Sequence, residues 1–261
     1  MRHWLAAFLL LFSGSAAPAQ DEPGAILIFS HTSGYRHDSI PAGNAAMEAI
    51  AADRGLAAET SEDPAVFSEE RLRRFRAIVF MSATTDPNDP ASEWLTGDRR
   101  VALQQFVARG GGIVAVHAAA DSHYGWDWYG KLIGGRFASH PPGTPQGTVS
   151  VLADQHPNHG LPHTVERADE WYYFNDLDPG STYLMTLDPG SIGQRDVNPN
   201  PVAWTREVDG GRMFYTAMGH TRESYAEPFF LRHLANGLDW VLSDSSPTRT
   251  KMSLVEGATE D

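Results

Sequence analysis

Three imidazoles follow apolar runs that read as β-strands. His31 comes directly after Ala25–Ser30, His117 closes Ile113–His117, and His220 lies just past Met213–Ala217. In an open parallel sheet, ligands bind outside the carboxyl ends of the strands, where loops converge. These three side chains are therefore expected to meet in one cleft, placed either to hold zinc or a similar divalent ion or to polarise a carbonyl. A lone histidine at a strand end is more often a hydrogen-bonded loop residue, so the weight rests on the joint placement. Asp121, four residues after His117, can fix an imidazole tautomer and raise its basicity for general-base work. Its other reading is a cap on the next helical turn. Glu170 stands before Trp171-Tyr172-Tyr173. A carboxylate in a partly dry aromatic setting has a raised pKa and suits an acid, whereas at an exposed strand start it would do nothing special. Aromatic faces beside polar groups also match a pyranose, which presents C–H faces and hydroxyl edges.

Composition removes whole classes of chemistry. With no cysteine among the 261 residues, disulfides, thiolate metal sites and thiol nucleophiles are impossible. The 33 acidic against 20 basic residues give a formal charge of −13, which argues against nucleic acid and against a polybasic membrane surface. There is no H-E-x-x-H, no G-x-x-x-x-G-K-[ST], no G-x-G-x-x-G and no G-x-S-x-G, and no nucleotide cofactor is expected. Gly110-Gly111-Gly112 precedes a strand, so it reads as a helix C-terminal turn and not as a phosphate cradle.

The elements that must position these residues alternate along the chain. Apolar strands are expected at Ala25–Ser30, Ala77–Ser82 and Ile113–His117, with a weaker one at Leu56–Thr60. Helices are expected from about Pro41 to Arg54, from Ser68, and from about Asp98 to Arg109. Continuous apolar strands separated by helices imply a parallel sheet covered on both faces. The second half is less regular, with strands expected at Thr148–Leu152, Tyr183–Leu187, Val202–Arg206 and Met213–Ala217. A closing helix from about Glu227 to Leu242 repeats Phe230, Leu234, Leu238 and Val241 on one face. At the other end, Met1-Arg2-His3, the apolar Trp4–Phe12 and the small Ala17-Pro18-Ala19 have the layout of a secretory signal, too short to span a bilayer. The expected organisation is a signal peptide at 1–19, one domain at 20–243 and a polar tail at 244–261, exported to the periplasm or beyond after cleavage near Ala19.

Several blocks together carry a resemblance. Gly34-Tyr35-Arg36-His37, Gly111–His117, Gly134-Gly135-Arg136-Phe137 with His140-Pro141, His156-Pro157, Asp169-Glu170-Trp171-Tyr172 and Gly211–Tyr215 through Gly219-His220 occur in this order. The chain thus resembles the ThuA-like (trehalose utilisation) family from about Ala25 to Leu242. The resemblance implies a class I glutamine-amidotransferase-like fold, a flavodoxin-like doubly wound α/β domain with a mostly parallel sheet and helices on both faces. The amidotransferase cysteine would fall at Val116-His117-Ala118, so glutaminase chemistry does not carry over. Sugar catabolism on 3-keto glycosides is implied instead, with a small-molecule carbohydrate as partner. In that setting His117 with Asp121, and Glu170, are the expected acid–base residues. Tyr35, Arg36, His37, His140 and Arg222 are expected contacts to sugar, and His31, His117 and His220 are the expected metal ligands. The reading from a different class is a non-catalytic sugar-binding or accessory module.

Overall fold

The computed structural model describes residues 24–152, 156–195 and 200–243, so the expected leader and tail lie outside the described residues. The first half follows the expected alternation: β1 (Ala25–Phe29), α1 (Ile40–Ala52), β2 (Ala57–Ser61), α2 (Glu69–Leu72), β3 (Phe75–Met81), α3 (Asp98–Ala108) and β4 (Gly112–Val116). The second half contains α4 (Asp127–Ile133), β5 (Arg136–Ser139), β6 (Gln146–Val151), β7 (Thr164–Ala168), β8 (Tyr173–Asn175), β9 (Thr182–Asp188), β10 (Asn200–Val208), β11 (Gly211–Thr216) and α5 (Pro228–Leu242).

Nine strands form one sheet in the order β2-β1-β3-β4-β11-β10-β9-β6-β7. The first five pair in parallel, and their order is the 2-1-3-4-5 of flavodoxin-like folds with β11 in fifth place. Antiparallel pairing takes over beyond β11, and only β10 and β6 run against the other seven strands. A separate two-stranded ribbon pairs β5 with β8.

The local reasons are readable. The residues of β1, β3 and β4 are almost all buried, as strands covered on both faces must be. Ser68 caps α2 by accepting from the amide of Arg71. On β11 successive side chains leave opposite faces of the sheet. Phe214 packs against α5 at Gly237, while Tyr215 turns the other way onto Trp204 and Phe174. Helices therefore cover the sheet, with α1 against α5 and α2 against α3. Buried Phe230, Leu234, Leu238 and Val241 on α5 realise the expected stripe, and His233 is buried among them.

Four elements escape the sequence pattern. β5 and β8 are only 4 and 3 residues long. β7 is a polar edge strand with one buried residue, Arg167. α4 is a short helix interrupted in composition by Gly130. The Gly134-Gly135-Arg136-Phe137 block caps α4 and opens β5, and His140-Pro141 follows that strand outside any helix or strand. Among the described residues no helix is long and apolar enough to cross a membrane.

Candidate active site

The carboxyl ends of the parallel strands carry a cluster of polar groups. His117, the first residue past β4, has φ of +50°, a left-handed conformation that is costly for any residue with a Cβ. Two bonds secure it: the Tyr215 hydroxyl donates to its carbonyl at 2.9 Å, and its Nδ1 lies 2.6 Å from the carbonyl of Ala217. A carbonyl only accepts, so Nδ1 carries the hydrogen and Nε2 of the neutral ring presents a lone pair. That Nε2 lies 3.2 Å from His37 Nε2, 3.2 Å from His220 Nδ1 and 3.4 Å from Glu170 Oε2.

His37 comes from the β1–α1 loop and is buried. Two residues on, Ser39 occupies the N-cap position of α1, yet its hydroxyl donates to the carbonyl of Gly219 instead of capping the helix. His220 follows β11 in a turn where Gly219 has φ of +112°, and a Cβ there would meet the Tyr225 hydroxyl at 2.7 Å. Glu170 arrives from the β7–β8 connection, with Oε2 3.1 Å from His220 Nδ1 and Oε1 3.2 Å from His140 Nδ1. The four groups His37, His117, Glu170 and His220 each offer one ligand atom, all within 4.8 Å of one another. These are the residues that could hold a metal.

Electrostatics follow from this crowding. Burial, reinforced by the charges of His117 and His220, pushes the His37 imidazole far below its ordinary pKa. For Glu170, burial favours the protonated form, but the neighbouring His117 and His220 imidazoles outweigh it and hold the carboxyl well below the usual range. The raised value anticipated from its aromatic neighbours is not found, because Trp171 turns into the core and imidazoles surround the carboxylate. His220 is raised by its bond to Glu170 against an opposing burial effect. Asp121 is raised by burial, with an accepted hydrogen bond from Tyr124 at 2.5 Å opposing.

A cavity of about 390 Å³ opens at the centre. His37 and Glu170 face it from one side, Asp121 and His140 supply further polar groups, and Tyr35, Phe137 and Tyr172 supply aromatic walls. The β5–β8 ribbon brings Phe137 there; its ring centroid lies 4.3 Å from that of Tyr172.

The structure brings together His117, His220, Glu170, His37, His140, Tyr35 and Asp121, but not every expected residue. His31 is outside the centre: its Nδ1 bonds to the Glu62 carbonyl at 2.8 Å and its ring packs against Trp94. Continuing straight from β1, it stays beside β2, and the next loop residues must turn before His37 reaches His117. His37, expected as a sugar contact, thus takes the place foreseen for His31. Arg36 pairs with Glu62 at 2.7 Å, and Arg222 donates to the Asp38 carbonyl at 3.0 Å; neither lines the cavity. Asp121 does not orient His117, whose Nδ1 is held by Ala217. Tyr124 escaped the sequence reading, although its position three residues after Asp121 was a signal that a turn could pair them.

Fold and site together define a flavodoxin-like α/β protein with a histidine–glutamate centre where the central strand turns. The chain belongs to the ThuA family: the family model, described as trehalose utilisation, matches residues 25–241. A carbohydrate-related role follows from that membership. No curated protein matches the chain. Among solved structures, a ThuA-like protein from Bacteroides uniformis is similar at TM-score 0.69 and 24% identity, covering 87% of this chain and 95% of its own. Another from Parabacteroides merdae gives 0.68 and 16%, covering 85% and 91%. A beta-galactosidase from Bacillus circulans gives 0.51 and 11%, covering 84% of this chain and 30% of the enzyme. At these identities the likeness is one of fold.

Proposed function

We propose that this chain is an exported carbohydrate-processing enzyme that performs metal-assisted acid–base chemistry on a keto-sugar or glycoside. The observation that carries the reading is the centre of His37, His117, Glu170 and His220 at the mouth of an aromatic-walled cavity. The donor set fits a divalent ion. One imidazole is fixed by a carbonyl so that its lone pair faces the other groups, an arrangement typical of metal-binding histidines. Separations of 3.1–3.4 Å around His117 Nε2 and His220 Nδ1, with all four ligand atoms within 4.8 Å of one another, would let these residues hold one ion together. An ion held there supplies Lewis-acid polarisation of a substrate carbonyl.

The protein's own groups do the rest. Phe137, backed by buried Tyr172, offers a face for the C–H side of a sugar ring, and Tyr35 closes the rim. His140, partly exposed beside Glu170, is placed to take the proton from the carbon next to a keto group. The electron pair left behind forms the new double bond as the leaving oxygen departs. Asp121, whose burial favours the protonated carboxyl, gives that oxygen its proton. His117 is fully buried with both nitrogens engaged, so it serves as a ligand and the base role moves to His140.

The test is metal analysis of the purified protein, with 3-keto and ordinary disaccharides assayed on wild type and His117→Ala. The reading expects bound metal and turnover in wild type alone. Sugar binding without turnover would instead make the chain an accessory module. Export is tested separately by sequencing the amino terminus of protein recovered from cells, which should begin near Gln20.

A further inference from the structure

We propose that the buried Arg167–Asp169 ion pair is the positioning device of the histidine–glutamate centre, setting the Glu170 and His220 loops at ligand distance. This rests on reading that centre as a metal site. Asp169 is wholly buried and Arg167 nearly so, with 3.1 Å between them. The Asp169 carboxylate accepts three main-chain amides: Glu170 at 2.9 Å and His220 at 3.0 Å on one oxygen, and Gly219 at 2.8 Å on the other. Two of those amides belong to ligand residues themselves, on segments 50 positions apart in the chain. A carboxylate withdrawn from water must be satisfied this completely. Which amides satisfy it is what gives the pair its role.

Arg167 is itself fixed by the turn before α5 and by the first turn of that helix. It donates to the Ser224 hydroxyl at 2.8 Å, lies 3.2 Å from Glu227 and stacks 4.8 Å over Phe230. The remaining ligand loops reach the same stretch, through Ala217 to His117 and through the Gly219 carbonyl to Ser39 of the His37 loop. Residues 217–220 are therefore a hub contacted by the loops carrying the other three ligands. A pair serving only core stability would have no reason to hold the amides of both ligand turns.

The experiment compares wild type, Asp169→Asn, Arg167→Met and Arg167→Lys in cobalt(II) titrations read by d–d absorption with chelator competition. Unfolding curves correct each for its folded fraction. In Asp169→Asn, Glu227 still offsets Arg167, while one amide loses its acceptor. Cobalt affinity should fall about ten- to a hundredfold, the range for groups that orient metal ligands. Arg167→Met should match it, and Arg167→Lys should recover part of the loss. Folded Asp169→Asn with cobalt affinity within twofold of wild type overturns the proposal. If wild type itself binds neither cobalt nor zinc, the metal reading fails and the positioning role is judged separately. The readout is then ring-nitrogen NMR of His117 and His220, where Asp169→Asn should shift the resonances as far as Glu170→Gln does, and unmoved resonances reject it. Should Asp169→Asn not fold, Arg167→Met undergoes the same measurements under the same criteria.

Discussion

The imidazole of His117 donates to the carbonyl of Ala217 at 2.6 Å, joining the ends of neighbouring parallel strands across 100 residues of sequence. The bond is made from a left-handed backbone at His117, so the residue combines a strained main chain with a lone pair aimed at the other ligands. Glycine tolerates that φ without a Cβ clash, worth about 1 kcal/mol over alanine. His117→Gly is therefore expected to be more stable than His117→Ala by about that amount, although both lose the centre. Urea midpoints of the two metal-free variants measure the difference; equal midpoints would contradict a left-handed His117.

Asp121 faces the cavity without belonging to the ligand cluster. Asp121→Asn should keep its metal content and lower turnover by at least about a hundredfold, the scale of a lost general acid. Metal analysis alongside single-turnover kinetics separates the two effects. Loss of metal together with activity would place Asp121 in the ligand set instead.

Stability should fall in acid through two buried histidines remote from the ligands. Burial holds His233 at about 3, with Arg167 adding to it, and holds His123 at about 3, with Arg100 and Arg136 adding. Glu93 also faces His123, 3.7 Å from its Nδ1. Both rings are neutral in folded and unfolded chains above pH 6.5, so neither contributes a slope there. Below it the unfolded chain takes up protons that the folded one refuses, and stability drops until about pH 3. At pH 5 the effect is about 2 kcal/mol per ring. His233→Leu should remove about 2 kcal/mol of the decline seen between pH 7 and 5 in denaturant titrations. An unchanged decline would show that this ring is not the cause.

Helix propensity alone favours alanine over glycine by about 1 kcal/mol within a helix. At position 237 of α5, however, a Cβ would stand 2.5 Å from the Phe214 ring. The clash should win, making Gly237→Ala destabilising by about 1–3 kcal/mol. Thermal or urea unfolding gives the sign directly, and a stabilised variant would mean that α5 sits farther from β11.

Much of this architecture is legible in the sequence because buried parallel strands are apolar along nearly their whole length, as β1, β4 and, apart from Arg76, β3 are. The stripe of α5 is equally plain. What fails is what tertiary context alone decides. β7 carries Thr, Glu and Arg and is a strand only because β6 lies beside it. His31 and His37 are separated by a loop whose path no periodicity records, so closeness to the strand end favoured the wrong histidine. Glu170 was legible as a site residue, yet its charge state depends on imidazoles supplied from two distant segments, at His117 and His220.

The contacts that gather the ligand loops fall on peptide groups of residues 217–220 more than on their side chains. Ala217 offers a carbonyl to His117, and Gly219 offers both its amide and its carbonyl. Core volume constrains Ala217 and Met218, but the cluster itself reads only where their main chain runs. A lineage could exchange these two for other small or flexible apolar residues and keep the chemistry intact. One inserted residue in that turn would scatter all four ligands at once.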